Sequence, residues 1–287
     1  MDPHIKILFA VSASRRLTRK TLEVNICEAY NRKLLPNDKE QDIQTIWQKR
    51  VEENPKLYNG TKFRIDSMPQ SSTLNVGVTC YRDYLGTNWS PHVKELQELG
   101  QSDHGNPQAY MSDPLGVGAL VLTSDECVVF LKRSKHCAEA YNLWDVPGGH
   151  AEPEELVGKK SFEETKACNM SPGAVVNEIF DSIIREIRDE VNLPVSHLSD
   201  PELLGIAQNT TSGNRPSMEF LVRCSRSSQE VLFLYRQGNQ AEAEESTNIM
   251  LLPLNKVLDM EEKEPEMWKT LAPSAKGCII LYGLSQK

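Results

Sequence analysis

Between residues 172 and 191, Val176, Ile179, Ile183, Ile187 and Val191 recur at steps of three and four. An α-helix, at 3.6 residues per turn, gathers that spacing into one apolar stripe that must be buried. On another face Glu186 and Glu190 stand one turn apart, with Asp189 three residues from Glu186, so three carboxylates reach toward a common point. Charges of one sign this close repel. A solvated face relieves them through water, and a shared divalent cation relieves them directly. Arg185 and Asp189 also have the spacing of an ordinary surface ion pair. Asn192 and Pro194 then stop the helix, Asn by adopting the left-handed conformation and Pro by forbidding continuation. The carboxylates therefore fall in the last turn, where the helix dipole disfavours anions and a cation would offset the cost.

The rest of the chain supplies partners for this helix. With 287 residues, 39% of them hydrophobic, there is material for one large domain or two modest ones. Residues 1–112 read as a smaller α+β unit. It has a strand at 5–11, a helix at 38–53, a strand at 74–81, an aromatic-rich turn at 81–89 and a helix at 91–100. Residues 113–287 read as strands at 115–122, 127–131, 143–146, 203–208, 218–224 and 249–252 around the 172–191 helix, closing in a helix or strand pair through 279–282. The expected fold is an α/β/α sandwich with a mixed sheet. Glutamate-rich patches at 163–164, 242–245 and 261–266 read as solvated surface.

Forty acidic against 32 basic side chains give a net charge of −8, which argues against nucleic acid or anionic lipid as partners. No apolar run reaches membrane-spanning length, and the apolar stretch 7–11 is too short for a signal-peptide core. Seven cysteines without a C-x-x-C pair suit a reducing, cytoplasmic or nucleocytoplasmic setting. Walker A, G-x-G-x-x-G and H-E-x-x-H patterns are absent, and nothing in the chain specifies an oligomeric state.

Upstream of the helix, Trp144-Asp145-Val146-Pro147-Gly148-Gly149-His150-Ala151-Glu152 reads as a strand entering a tight turn. Paired with Arg185-Glu186-Ile187-Arg188-Asp189-Glu190-Val191-Asn192-Leu193, it resembles the signature of the Nudix hydrolases, G-x5-E-x7-R-E-U-x-E-E-x-G-U with U apolar. Three departures stand out. Twenty-nine residues (156–184) follow Glu155 where the family has 7, an insertion of 22 centred on 157–173 that displaces Glu155 as a ligand. Asp189 stands for a Glu, and Asn192 for the Gly. Within the family, residues 81–89, 113–118 and 273–282 look like the members that act on UDP-glucose and UDP-galactose.

The resemblance implies Mg²⁺-dependent cleavage of a nucleotide sugar's diphosphate to UMP and hexose 1-phosphate, with Mn²⁺ a possible substitute. Alternatives are another substrate (ADP-ribose, coenzyme A, a dinucleoside polyphosphate) or a non-catalytic nucleotide-sugar binder. The resemblance assigns Glu186 and Glu190 as metal ligands, Glu186 also orienting or deprotonating water, and Asp189 as a secondary ligand at the catalytic centre, through water. Arg133, closing its strand, becomes the phosphate fork, and the loop near Ala138 offers backbone groups. Asp145 is set for sugar hydroxyls, His150 for a phosphate oxygen and Glu152 for sugar or metal water. Tyr81 and Tyr58 are the candidates to stack on uracil.

Overall fold

The computed structural model describes residues 2–70, 72–135 and 139–286. In chain order the elements are β1 (Ile5–Ala10), β2 (Glu23–Ile26), α1 (Asn37–Glu53), β3 (Thr61–Gln70), β4 (Thr73–Cys80), α2 (Tyr81–Gly86) and α3 (Val93–His104). There follow β5 (Gly116–Leu122), β6 (Cys127–Arg133), β7 (Trp144–Asp145), β8 (Gly148–His150), α4 (Glu154–Val157) and α5 (Pro172–Val191). The chain closes with β9 (Glu202–Asn209), β10 (Arg215–Arg223), α6 (Ser228–Arg236), β11 (Ser246–Pro253), α7 (Leu254–Leu258), α8 (Met260–Lys263), α9 (Pro265–Lys269) and α10 (Pro273–Ser285).

The larger sheet runs β1-β9-β10-β5-β6-β11, with β7 on β6 and β8 on β5; a smaller sheet runs β2-β4-β3. β10 and β5 pair in parallel while the other pairs of the larger sheet are antiparallel, so it is mixed. Strand alternation assigns its two faces. Val117, Ala119 and Val121 of β5, with Met218, Phe220 and Val222 of β10, join the core around α5. Leu120, Leu122 and Leu221 join the core under α10. This is the expected α/β/α sandwich.

α5 begins at Ser171, whose side chain accepts from the Ala174 N–H, and at Pro172 in the first turn. It ends at Asn192 with φ 63°, the left-handed stop read from the sequence. All five stripe residues are buried, each contributing roughly 1.5–3 kcal/mol of transfer free energy. Val175 and Phe180 are buried too, because α5 also faces the smaller sheet: Val24, Phe63, Leu74 and Val76 belong to the same core. β1 joins the larger sheet through β9 rather than the amino-terminal sheet.

Two local expectations need correction. Residues 81–86 form a helix instead of a turn, held by tertiary contacts: Asp83 is ion-paired to Arg32 and Arg82, and Tyr84 stacks on Trp89 at 5.9 Å. Gly148–His150 is a strand paired with β5, not a tight turn, because the gap between diverging β5 and β6 offers it free ladder positions. Within the inserted segment 157–173, Val157 ends α4 and Pro172 opens α5. The strand-or-helix ending is helical, with residues 275–279 buried.

Candidate active site

The α5 carboxylates meet β8 at its backbone. The Gly148 N–H donates to Glu190 Oε2 at 3.0 Å, and the Glu186 carboxylate lies against Gly149. Gly149 carries no side chain, and its absent β-carbon's place is taken by the Glu186 carboxylate. Burial first, then the charges of Glu242 and Glu245, push Glu186 up to about 8. Glu190 is 4% exposed and lies well above the ordinary carboxyl range, by burial and then by the charge of Glu186.

Glu186, Gly148, Gly149 and His150 line a cavity of about 570 Å³. Arg133, Asp145, Glu152 and Tyr81 line it as well. Arg133 donates to the Glu139 carbonyl at 3.1 Å and to Asp145 at 3.5 Å. Asp145 accepts from Ser274 Oγ at 2.6 Å and from the Val146 N–H at 2.9 Å, tying β7 to the first turn of α10. Burial raises Asp145. Burial, then the charges of Lys62, Arg215 and Arg133, hold His150 well below the usual imidazole value, so it is neutral at neutral pH and donates through one ring nitrogen. Glu152 is ion-paired with Lys62, and its N–H donates to Glu178 at 3.1 Å.

Other expected residues lie elsewhere. Tyr58 is exposed, 3.5 Å from Glu154 through its hydroxyl and capped by Lys159 at 4.0 Å, and does not line the cavity. Asp189 points its carboxylate into a fork from Arg188, both contacts at 2.7 Å, and not into the cavity. Arg185 pairs with the buried Glu178 rather than with Asp189. Ala138 lies outside the described residues.

Several cavity residues carried no sequence signal. Lys62 arrives because β3 runs past Ala151, the Phe63 N–H donating to its carbonyl at 3.5 Å. Arg215 and Ser217 come from β10, and Tyr84 from α2. Glu242, Glu244 and Glu245, read as solvated surface, border the cavity because the Glu242 N–H donates to the Asp189 carbonyl at the end of α5.

The lining holds seven carboxylates (Glu139, Asp145, Glu152, Glu186, Glu242, Glu244, Glu245) and three basic side chains (Lys62, Arg133, Arg215). Such an acid surplus, with two glutamates held against ionisation, fits a site completed by a divalent cation. Among the described residues no three His, Cys, Asp or Glu side chains already converge in ligating geometry. The fit therefore rests on charge and on the placement of Glu186 and Glu190 against β8.

No family model matches the chain. Full-length relatives do: uridine diphosphate glucose pyrophosphatase NUDT22 of Homo sapiens is 43% identical over 294 residues, covering 100% of this chain and 94% of that protein. Nudix hydrolase 9 of Arabidopsis thaliana is 32% identical over 243 residues, covering 79% of this chain and 76% of its own length. The chain belongs to the Nudix hydrolase family. The crystal structure of the MutT protein from Methanosarcina mazei Go1 is similar with a TM-score of 0.37 and 16% identity, covering 60% of this chain and 95% of that one. In this Nudix hydrolase the two glutamates one turn apart on α5 both lie against β8. Among the described residues no helix is long and apolar enough to cross a membrane.

Proposed function

We propose that this Nudix hydrolase cleaves the diphosphate of UDP-glucose and UDP-galactose to UMP and hexose 1-phosphate, with Mg²⁺ as its cation. The observation that carries this is the Glu186 carboxylate on the wall of an acid-rich cavity, against Gly149, with Glu190 one turn on and buried behind it on the Gly148 N–H. The UDP-hexose comes from the relatives' name, pyrophosphatase of uridine diphosphate glucose, at 43% identity.

Glu186 and Glu190 would hold the cation, which when bound neutralises diphosphate charge and acidifies water. Glu186, on the cavity wall, takes the proton of the attacking water at a carboxylate oxygen. Arg133 orients a phosphate through its guanidinium and is itself aligned by Asp145 and the Glu139 carbonyl. Neutral His150 donates to a phosphate oxygen without adding charge. Asp145 and Ser274 present an acceptor and a hydroxyl to the hexose. Residues 1–112 serve the uracil side, where Tyr81 offers its ring and Lys62 fixes Glu152. The six cysteines among the described residues are free, which agrees with a reducing, cytoplasmic setting.

The test is a panel of UDP-glucose, UDP-galactose, ADP-ribose, coenzyme A and a dinucleoside polyphosphate, each incubated with Mg²⁺ or with EDTA. UMP and hexose 1-phosphate from the first two, suppressed by EDTA, are expected. Preferential turnover of an adenine substrate, or binding without turnover, overturns the proposal.

A further inference from the structure

Arg215 opens β10 with a side chain 12% exposed, and among the described residues its buried Nε meets no acceptor. Nη2 donates to Glu139 Oε2 at 3.2 Å. Nη1 lies over Gly116 of β5, so close that a β-carbon there would stand 2.6 Å away. Gly116, the ladder partner of Ser217, thus leaves room for the guanidinium at the cavity wall. From there its charge bears on both Asp145 and His150.

Glu139 bridges two guanidiniums. Its carbonyl oxygen accepts from Arg133, and its carboxylate accepts from Arg215. A planar fork with an unused donor, set in the cavity wall, matches the oxygens of a phosphate. The carboxylate supplies one negative charge where a diphosphate supplies more.

We propose that Arg215 is a substrate-binding residue that takes a phosphate oxygen of the diphosphate, and that the Glu139 carboxylate is the internal anion it holds in the ligand-free protein. This assignment rests on the diphosphatase reading above for its substrate. Binding exchanges one ion pair for another: the Glu139 carboxylate leaves Arg215, the phosphate enters, and the guanidinium stays compensated throughout. Ser217, on the same face of β10 and also on the cavity wall, lies beside the incoming oxygens.

Calorimetric titration of inorganic pyrophosphate, with Mg²⁺ present, into the full chain and its R215Q, R215K and E139Q variants tests this. R215Q is expected to weaken binding about tenfold or more, and R215K by less, since a point charge replaces the fork. E139Q is expected to tighten it several-fold by removing the internal competitor. Wild-type affinity in a folded R215Q overturns the proposal, and so does unchanged or weaker binding in E139Q. If R215Q does not fold, E139Q alone decides. UDP-glucose turnover by the unmodified chain is measured alongside: its absence overturns the UDP-hexose reading and leaves the pyrophosphate result to stand or fall by itself.

Discussion

The Gly148 N–H and the Glu190 carboxylate are bonded at 3.0 Å across 42 residues of sequence. The bond fastens the last turn of α5 to a three-residue strand, and one turn earlier the Glu186 carboxylate fills the space beside Gly149. Side-chain amides in their place would keep the shape and lose the charge. Glu186→Gln and Glu190→Gln are therefore each expected to lower kcat by about a hundredfold or more, with thermal melting in EDTA at or above that of the unmodified chain. Wild-type turnover in either variant removes these residues from the chemistry.

The same glutamates set a pH dependence. Burial and the charges of Glu242 and Glu245 hold Glu186 up at about 8, against an ordinary value of 4.5. Between those two values the folded state binds a proton that the unfolded state does not. This contribution to stability is fully present below about pH 4.5 and is lost as pH rises through about 8. Melting temperature in EDTA should fall between about pH 5.5 and about pH 8.5, and the stabilisation gained on adding Mg²⁺ should grow over the same interval. A Mg²⁺ effect independent of pH would contradict this.

Gly148 and Gly149 should respond differently to alanine. A β-carbon on Gly148 meets the Val117 carbonyl, a backbone atom locked in the β5–β8 ladder. Gly148→Ala is expected to cost about 1–3 kcal/mol in stability, read from urea unfolding. On Gly149 the obstacle is the end of the Glu186 side chain, which can swing. Gly149→Ala should keep most of the stability and lose most of the activity; equal stability losses in the two variants would refute the distinction.

Arg185 braces the site from beneath. Both of its terminal nitrogens bind Glu178, at 3.1 and 2.6 Å, and Glu178 also receives the Glu152 N–H. Arg185→Ala leaves a carboxylate 3% exposed without its counter-charge, at an expected cost of about 3 kcal/mol. Adding Glu178→Gln should recover part of it in a double-mutant cycle. Additive effects would show that the pair is not coupled.

The two candidate tyrosines are separated by position. Tyr81 lines the cavity and packs edge-on against Trp47 at 6.3 Å, whereas Tyr58 is bound to Glu154 outside it. Tyr81→Ala should weaken UMP binding by about 1–3 kcal/mol, the worth of one stacked base, and Tyr58→Ala should leave it unchanged. The reverse ranking in a UMP titration would move the uracil out of the cavity.

Sequence periodicity by itself determined the central helix, its apolar stripe, its stop at Asn192 and the one-turn spacing of Glu186 and Glu190. These depend on contacts three or four residues apart, where covalent geometry leaves little choice. The same locality explains the alternating strands β5 and β10 and the sandwich they imply. Tertiary structure decided what is long-range: that 148–150 pairs with β5 as a strand, that residues 81–86 coil into a helix around a buried Asp83, and that Arg185 braces Glu178. It also brought Lys62, Arg215 and Glu242–Glu245 to one cavity and left Tyr58 and the Asp189 carboxylate outside it. An isolated Arg or Glu carries no period, and its partner is set by which strands lie side by side. Only the assembled sheets bring such charges within a few ångströms, where burial and Coulomb's law give them a role.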